Sequence, residues 1–155
     1  MRFLNIDIPQ GATILNAKIT FICRSADSLT EVNTKIQAAA EDNPGNPSSA
    51  EDYLTRPKTE ATVNWDNIPP WEAEATYDSP DIKQVIQEVI NRPTWEPGNA
   101  LLIFWHDLDD RSTHNTGTER VPYSYNGKPI KAAILTVEYS IAPPVVGRSY
   151  GYITA

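Results

Sequence analysis

Hydrophobic and polar residues alternate along much of this chain, and the alternation predicts strands. Arg2 to Ile8 places Leu4, Ile6 and Ile8 on one side and Asn5 and Asp7 on the other before Pro9-Gln10-Gly11 turns the chain. Asn16 to Arg24 repeats the pattern, with Ala17, Ile19, Phe21 and Cys23 on one face and Lys18, Thr20, Ile22 and Arg24 on the other. Glu31 to Glu41 sets Val32, Thr34, Ile36, Ala38 and Ala40 against Asn33, Lys35 and Gln37, and Thr59 to Trp65 alternates through Ala61, Val63 and Trp65. Ala100 to Asp107 is apolar on both faces, so it needs a cover on each; an opposing sheet and the helix just before it would supply them. Ala132 to Ser140 completes the series with Leu135, Val137 and Tyr139 on one face.

One segment changes period. Ile82, Val85, Ile86, Val89 and Ile90 recur at helical spacing while Lys83, Gln84, Gln87, Glu88 and Asn91 face away. Ser79 suits an N-cap, Pro80 the first helical position and Asp81 the positive end of the dipole, and Pro93 disfavours helix at Arg92, which predicts a helix over about 80–92. Between the periodic segments lie a Pro-rich loop from Glu41 to Lys58, an irregular stretch from Asp66 to Asp78 and a polar region from Asp109 to Lys131. The last contains the hairpin-favouring pair Asn126-Gly127. After Ala142, Pro143-Pro144 favours extended backbone and VVGRSYGYITA follows without a clear period. About six strands and one helix predict a mainly β, antiparallel β-sandwich over 1–142, with 143–155 as a C-terminal tail or linker.

Length and composition narrow the function classes. A chain of 155 residues suits one domain with one core. Its net charge of −7 makes nucleic acid a poor partner. The longest apolar run, Ala100 to Trp105, is far short of a membrane span, and no export signal is visible at the N-terminus. The lone Cys23 has no internal disulfide partner and alternates into the core as a small apolar residue.

Three stretches carry a resemblance: RFLNIDIPQGATILNAKITF at 2–21, WDNIPPW with the helix and NRPTWEPGNALLIF between 65 and 104, and SYNGKPIKAAILTVEY at 124–139. They resemble the DNRLRE-type carbohydrate-binding-module domains. The resemblance covers most of the first 140 residues, and its motifs are signatures of the scaffold more than of a ligand. It implies a jelly-roll-like sandwich, an accessory role on secreted or surface-attached proteins, binding to a polysaccharide or glycan or service as a spacer, and no catalysis. The family pattern usually has a strand or two ahead of the segment matched by Arg2 to Ile8, which leaves the N-terminal edge missing or supplied by another chain.

The aromatic inventory, four tryptophans and seven tyrosines, suits sugar stacking. Trp71, Trp95, Tyr77, Tyr123 and Tyr125 fall in loops, and Trp71, Tyr77, Tyr123 and Tyr125 are the candidate ligand-binding residues. The plainer alternative is that these rings brace the loops while Trp65 and Trp105 pack in the core. His106, Asp107, Asp109, Asp110, His114 and Glu119 cluster in sequence. Asp107, Asp109 and Asp110 would suit a structural calcium ion, although a solvated polar loop explains the same residues. No nucleophile elbow, phosphate-binding glycine loop or zinc-protease spacing is present, which points away from an enzyme. Lys18, Arg24 and Lys35 would form an outward basic patch if the second and third strands pair. Two uses compete: a glycan-binding or adhesion module acting through loop aromatics or a sheet face, and a structural block of a virion, appendage or surface layer whose Val145 to Ala155 segment docks on a neighbouring subunit.

Overall fold

In the computed structural model, residues 1–25, 32–114 and 118–141 are described; the expected tail lies outside them. The longest element is strand β2 (Thr13–Ser25), whose inward positions Ala17, Ile19, Phe21 and Cys23 are all fully buried, as the alternation predicts. β2 is the centre of one antiparallel sheet. β5 (Thr76–Asp78) pairs with it along Thr20–Ile22 on one side. On the other side β8 (Ile134–Ser140) pairs along Thr13–Thr20, and the short β7 (Val121–Pro122) pairs beyond it at Cys23 and Ser25.

The second antiparallel sheet has the order β1 (Arg2–Phe3), β6 (Leu101–His106), β3 (Val32–Ala38), β4 (Val63–Ile68). Side chains from the two sheets enclose one core, so the fold is the mainly β sandwich that the period-two segments predict. At its centre Phe21 meets Trp105, Trp65 and Trp71 at ring-centroid distances of 5.0, 5.8 and 5.9 Å. Trp105 Nε1 donates to Thr34 Oγ1 at 2.7 Å, which gives the ring a polar partner on the neighbouring strand. None of the helices of the described residues is long and apolar enough to cross a membrane.

The amphipathic helix α2 (Lys83–Ile90) buries Val85, Ile86, Val89 and Ile90. It is shorter than the 80–92 expected, and Ser79 does not cap it. Ile82 is the N-cap, without a side-chain bond, while Ser79 Oγ accepts from Ile19 N at 3.0 Å. Asp81 Oδ1 accepts from Ala17 N at 3.0 Å as well as from Lys83 N at 2.9 Å. The reason is the edge of β2: β5 stops at Thr20, so the N–H groups of Ala17 and Ile19 need other acceptors. Gln87, expected simply to face away, continues this work, and Glu88 fastens the chain ahead of β4. Gln87 accepts from Ile14 N and donates to Ala12 O, both at 2.8 Å, and Glu88 accepts from Glu60 N and Ala61 N at 2.9 and 2.7 Å.

Four further expectations are corrected. The strand predicted over Arg2 to Ile8 is regular only at Arg2–Phe3, because Asn5 turns left-handed at φ 54° and leaves Leu4 exposed while Ile8 is buried. The loop from Glu41 to Lys58 contains helix α1 (Ala50–Thr55), capped by Ser49, whose side chain accepts from Asp52 N. Its Tyr53 packs edge-to-face on Phe104 at 5.2 Å, so α1, not α2, meets the second apolar face of β6 at Leu102 and Phe104. Finally, β2 and β3 lie in different sheets, so Lys18, Arg24 and Lys35 form no joint patch; Lys18 pairs with Asp78 at 2.6 Å and Lys35 with Asp109.

Candidate functional site

The sandwich is open along one side. There, a cleft of about 630 Å³ lies between the edge strand β1 and the connection from β7 to β8. Met1, Arg2, Phe3 and Leu4 form one wall; Pro122, Tyr123, Ser124, Tyr125, Ala132 and Ala133 form the other; Phe21 reaches it from the core. The lining is predominantly apolar, and it exists because β1 is only two residues long and leaves the inner side of the facing sheet incompletely covered.

Both walls are held by polar contacts within the protein. Met1 donates its amine to Ile103 O at 2.6 Å and accepts from Ile103 N at 2.7 Å, and burial pushes the amine pKa down. Arg2 Nε donates to Pro44 O at 2.7 Å. Opposite, Tyr123 N donates to Ile22 O, and its hydroxyl donates to Glu74 Oε1 at 2.6 Å. Lys131 pairs with the other oxygen of Glu74 and stands 5.0 Å above the Tyr123 ring. The Lys131 ammonium, followed by the Tyr123 hydroxyl, holds the Glu74 carboxyl below its ordinary pKa, and Glu74 in turn raises that of Tyr123.

The turn that carries Tyr125 closes where Gly127 N and Lys128 N donate to Ser124 O at 3.2 and 2.9 Å. A side chain at Gly127 would come within 3.0 Å of Ser124 Oγ, but the hairpin expected of Asn126-Gly127 does not form: neither residue has a positive φ, and β7 and β8 pair with β2, not with each other. Tyr125 at the tip is 71% exposed, and Ile130 and Ile134, close along the chain on either side of Ala132–Ala133, are 84% and 57% exposed. On the opposite wall Leu4 is 58% exposed. Isolated exposed apolar residues are ordinary; here Met1, Leu4 and Tyr125 line one opening.

The four candidate aromatics therefore separate into two pairs. Tyr123 and Tyr125 line the cleft. Trp71 is only 2% exposed, stacked on Tyr77 at 4.7 Å with nearly parallel rings and packed against Phe21, so it cannot offer its face to a sugar. Tyr77 is half-buried, and its hydroxyl accepts from Glu72 N at 2.8 Å. The loop containing Trp71 carries a large apolar ring, and the core takes it in. Trp95 is buried likewise, donating to Ile8 O at 2.9 Å. The cleft residues Met1, Phe3 and Leu4 were not among the candidates; in sequence Leu4 looks like the inner side of a strand, and Phe3 falls on its other face.

The proposed calcium ligands do not converge. Asp107 accepts from the backbone N–H groups of Arg111 and Ser112 at 2.8 and 2.9 Å, and despite burial these bonds keep its pKa below the ordinary value. Asp109 pairs with Lys35, and Asp110 lies 2.9 Å from His114 Nε2. Among the described residues no three His, Cys, Asp or Glu side chains are placed to share an ion, so this donor set does not fit calcium. Asp107 instead organises the turn after β6. His106 is buried on Gln37, at 3.2 Å from its Oε1, and Glu119 lies beside the half-buried β7.

Fold and cleft together define a mainly β sandwich module with an apolar opening beside an edge strand. No protein-family model, curated protein or solved structure matches the chain.

Proposed function

We propose that this is a non-catalytic module that serves as a building block of a larger assembly, packing its open side against a protein neighbour. The observation that supports this reading is the lining of the cleft. Its lining is predominantly apolar, and of the polar groups along it the Met1 amine, Arg2 Nε, the Tyr123 hydroxyl and Ser124 Oγ bond within the protein itself. A sugar site needs side-chain donors and acceptors free to replace water around hydroxyl groups, whereas an apolar segment of protein needs only burial.

Glycan binding, which the sequence resemblance implies, is the second reading. One observation favours it: the Tyr125 ring stands exposed on a tight turn next to Tyr123. Extracellular or virion surfaces are settings in which either use would operate.

Light scattering of the full chain over a concentration series tests the assembly reading. Self-association is expected, weakened about 10-fold or more by Leu4→Asp with Tyr125→Ser, the effect of losing ~1.4 kcal/mol. A chain that stays monomeric throughout, or associates equally well with both substitutions, overturns the reading. A glycan array on which the unaltered chain binds and Tyr125→Ala does not would establish the second reading in its place.

A further inference from the structure

Outside the cleft, the end of β6 carries a buried imidazole. His106 has a partner at each ring nitrogen, and the two partners fix its state. Leu108 N can only donate, and it donates to Nδ1 at 3.3 Å, so Nδ1 is the bare nitrogen. The proton therefore sits on Nε2, which donates to Gln37 Oε1 at 3.2 Å. Gln37 is turned to accept it, because its own Nε2 donates to Thr59 O at 2.7 Å. The neighbours thus assign a neutral ring of one tautomer.

The residues that follow His106 form a strap along the next strand. β6 pairs with β3 only along Lys35–Ala38, so Asn33 and Thr34 lie past the last pair, Lys35 with His106. Arg111 and Ser112 complete that edge. Ser112 Oγ accepts from Asn33 N at 2.9 Å and donates to Asn33 O at 2.7 Å, and Arg111 Nη1 donates to Thr34 O at 3.1 Å. The other guanidinium nitrogen, Nη2, pairs with Asp66 of β4 at 2.6 Å. A turn folds the strap into place: Asp110 N donates to Asp107 O at 3.3 Å, and the Asp107 carboxylate accepts from Arg111 N and Ser112 N. Leu108, whose N–H reaches the His106 ring, lies within this turn, and its side chain is 47% exposed, so it adds no buried anchor.

We infer that His106 is an acid-operated latch on this strap: when its ring takes up a proton, residues 107–112 come away and the edge of β3 at Asn33 and Thr34 is uncovered. The latch is independent of the cleft and of the assembly reading. A second proton can enter the ring only at Nδ1, where the new N–H would point at the N–H of Leu108. Two donors then face each other, and the bond that holds the turn to β6 is lost. Four charged groups surround the ring. Lys35 faces it from β3 and Lys58 from the stretch ahead of β4, and both oppose a positive ring; Asp107 and Asp109, from the turn, favour one. Those two carboxylates are engaged elsewhere, Asp107 with two amides and Asp109 with Lys35. Burial, followed by the Lys58 ammonium, prevails and holds the ring below its ordinary pKa of 6.5. The stability of the closed strap is therefore fully present above pH 6.5 and is lost as the pH falls through the folded value. Once uncovered, the N–H and C=O of Asn33 are open to pairing with another strand.

NMR of the full chain from about pH 7.5 to about pH 5 tests the latch. At the upper pH the His106 ring is expected to carry its proton on Nε2 and none on Nδ1. As the pH falls, protection of the Asn33, Arg111 and Ser112 N–H groups against hydrogen exchange is expected to drop about 10-fold or more, with the midpoint of the His106 ring, while that of Ile19 in β2 holds. His106→Gln, which cannot take up the proton, is expected to show no such drop. His114→Gln, which alters the imidazole beside Asp107 and Asp110, is expected to keep it. A proton on Nδ1 at the upper pH, protection that holds throughout, or a drop that vanishes in His114→Gln overturns the inference. If His106→Gln has already lost the strap at the upper pH, the unaltered chain decides: a drop with a midpoint apart from that of the ring overturns the latch, and a shared midpoint supports it.

Discussion

Tyr125 and Trp71 show how two loop aromatics of equal promise in the sequence come to opposite ends. Trp71 is a core residue sealed against Tyr77 and Phe21, and Trp71→Ala is expected to destabilise the fold by about 3–5 kcal/mol in chemical denaturation. Tyr125→Ala, at an exposed tip, is expected to stay within about 0.5 kcal/mol of the unaltered chain. Glu74 adds a pH dependence. Its folded pKa is depressed by Lys131 and Tyr123, so the stability it contributes is fully present above the ordinary value of 4.5 and is lost as the pH falls through the folded value. In an NMR titration the Glu74 carboxyl is expected to change below pH 4.5, and Glu74→Gln is expected to remove that part of the acid dependence of unfolding. A Glu74 carboxyl titrating at or above its ordinary value would show that the link to Lys131 does not persist in solution.

At the scale of elements, the edge of β2 is the informative one. Two different structures finish it: β5 with a backbone ladder as far as Thr20, then Ser79 and Asp81 with side-chain acceptors. Ser79→Ala would leave the buried N–H of Ile19 without its acceptor, which is expected to cost about 1–3 kcal/mol in an equilibrium unfolding curve. A loss below about 0.5 kcal/mol would mean that the Ser79 hydroxyl is dispensable to the edge. Helix α1 makes a similar point about β6. The short helix brings Tyr53 over Phe104, with the Lys58 ammonium 4.9 Å from the same ring. Arg56, first, and then the Ser48 backbone bring the Asp52 carboxyl down to a pKa of about 2, which helps to fasten the end of this helix.

For the whole molecule, the period of the hydrophobic pattern determines which parts are legible. In β2, β3 and β8 the structure follows it, because a one-residue slip would expose an entire buried face, whereas over Arg2 to Ile8 the left-handed Asn5 breaks an equally long alternation. β5 and β7, three and two residues long, are too short to display a period, and both depend on pairing with β2. Helix α1 had one local signal, Ser49 three residues ahead of Asp52, which was hidden by the prolines around it. The cleft was half legible. Asn126-Gly127 marks the place of the turn beside Tyr123 and Tyr125 though not its hairpin form, and Leu4 enters where Asn5 reverses the local alternation, a backbone event without a pattern in sequence. Asp107, Asp109 and Asp110 illustrate the converse, since neighbours along a chain have no need to converge in space.

The single thiol of the chain is buried completely near the C-terminal end of the longest strand, its pKa raised by that burial and its sulfur 2.9 Å from Ser25 O. It therefore serves as a built-in clock for opening of the β2 sheet. Alkylating reagents should modify Cys23 only in molecules whose sheet has parted, at a rate that rises with denaturant in step with global unfolding. Fast modification of the native protein would mean that β2 loosens on its own.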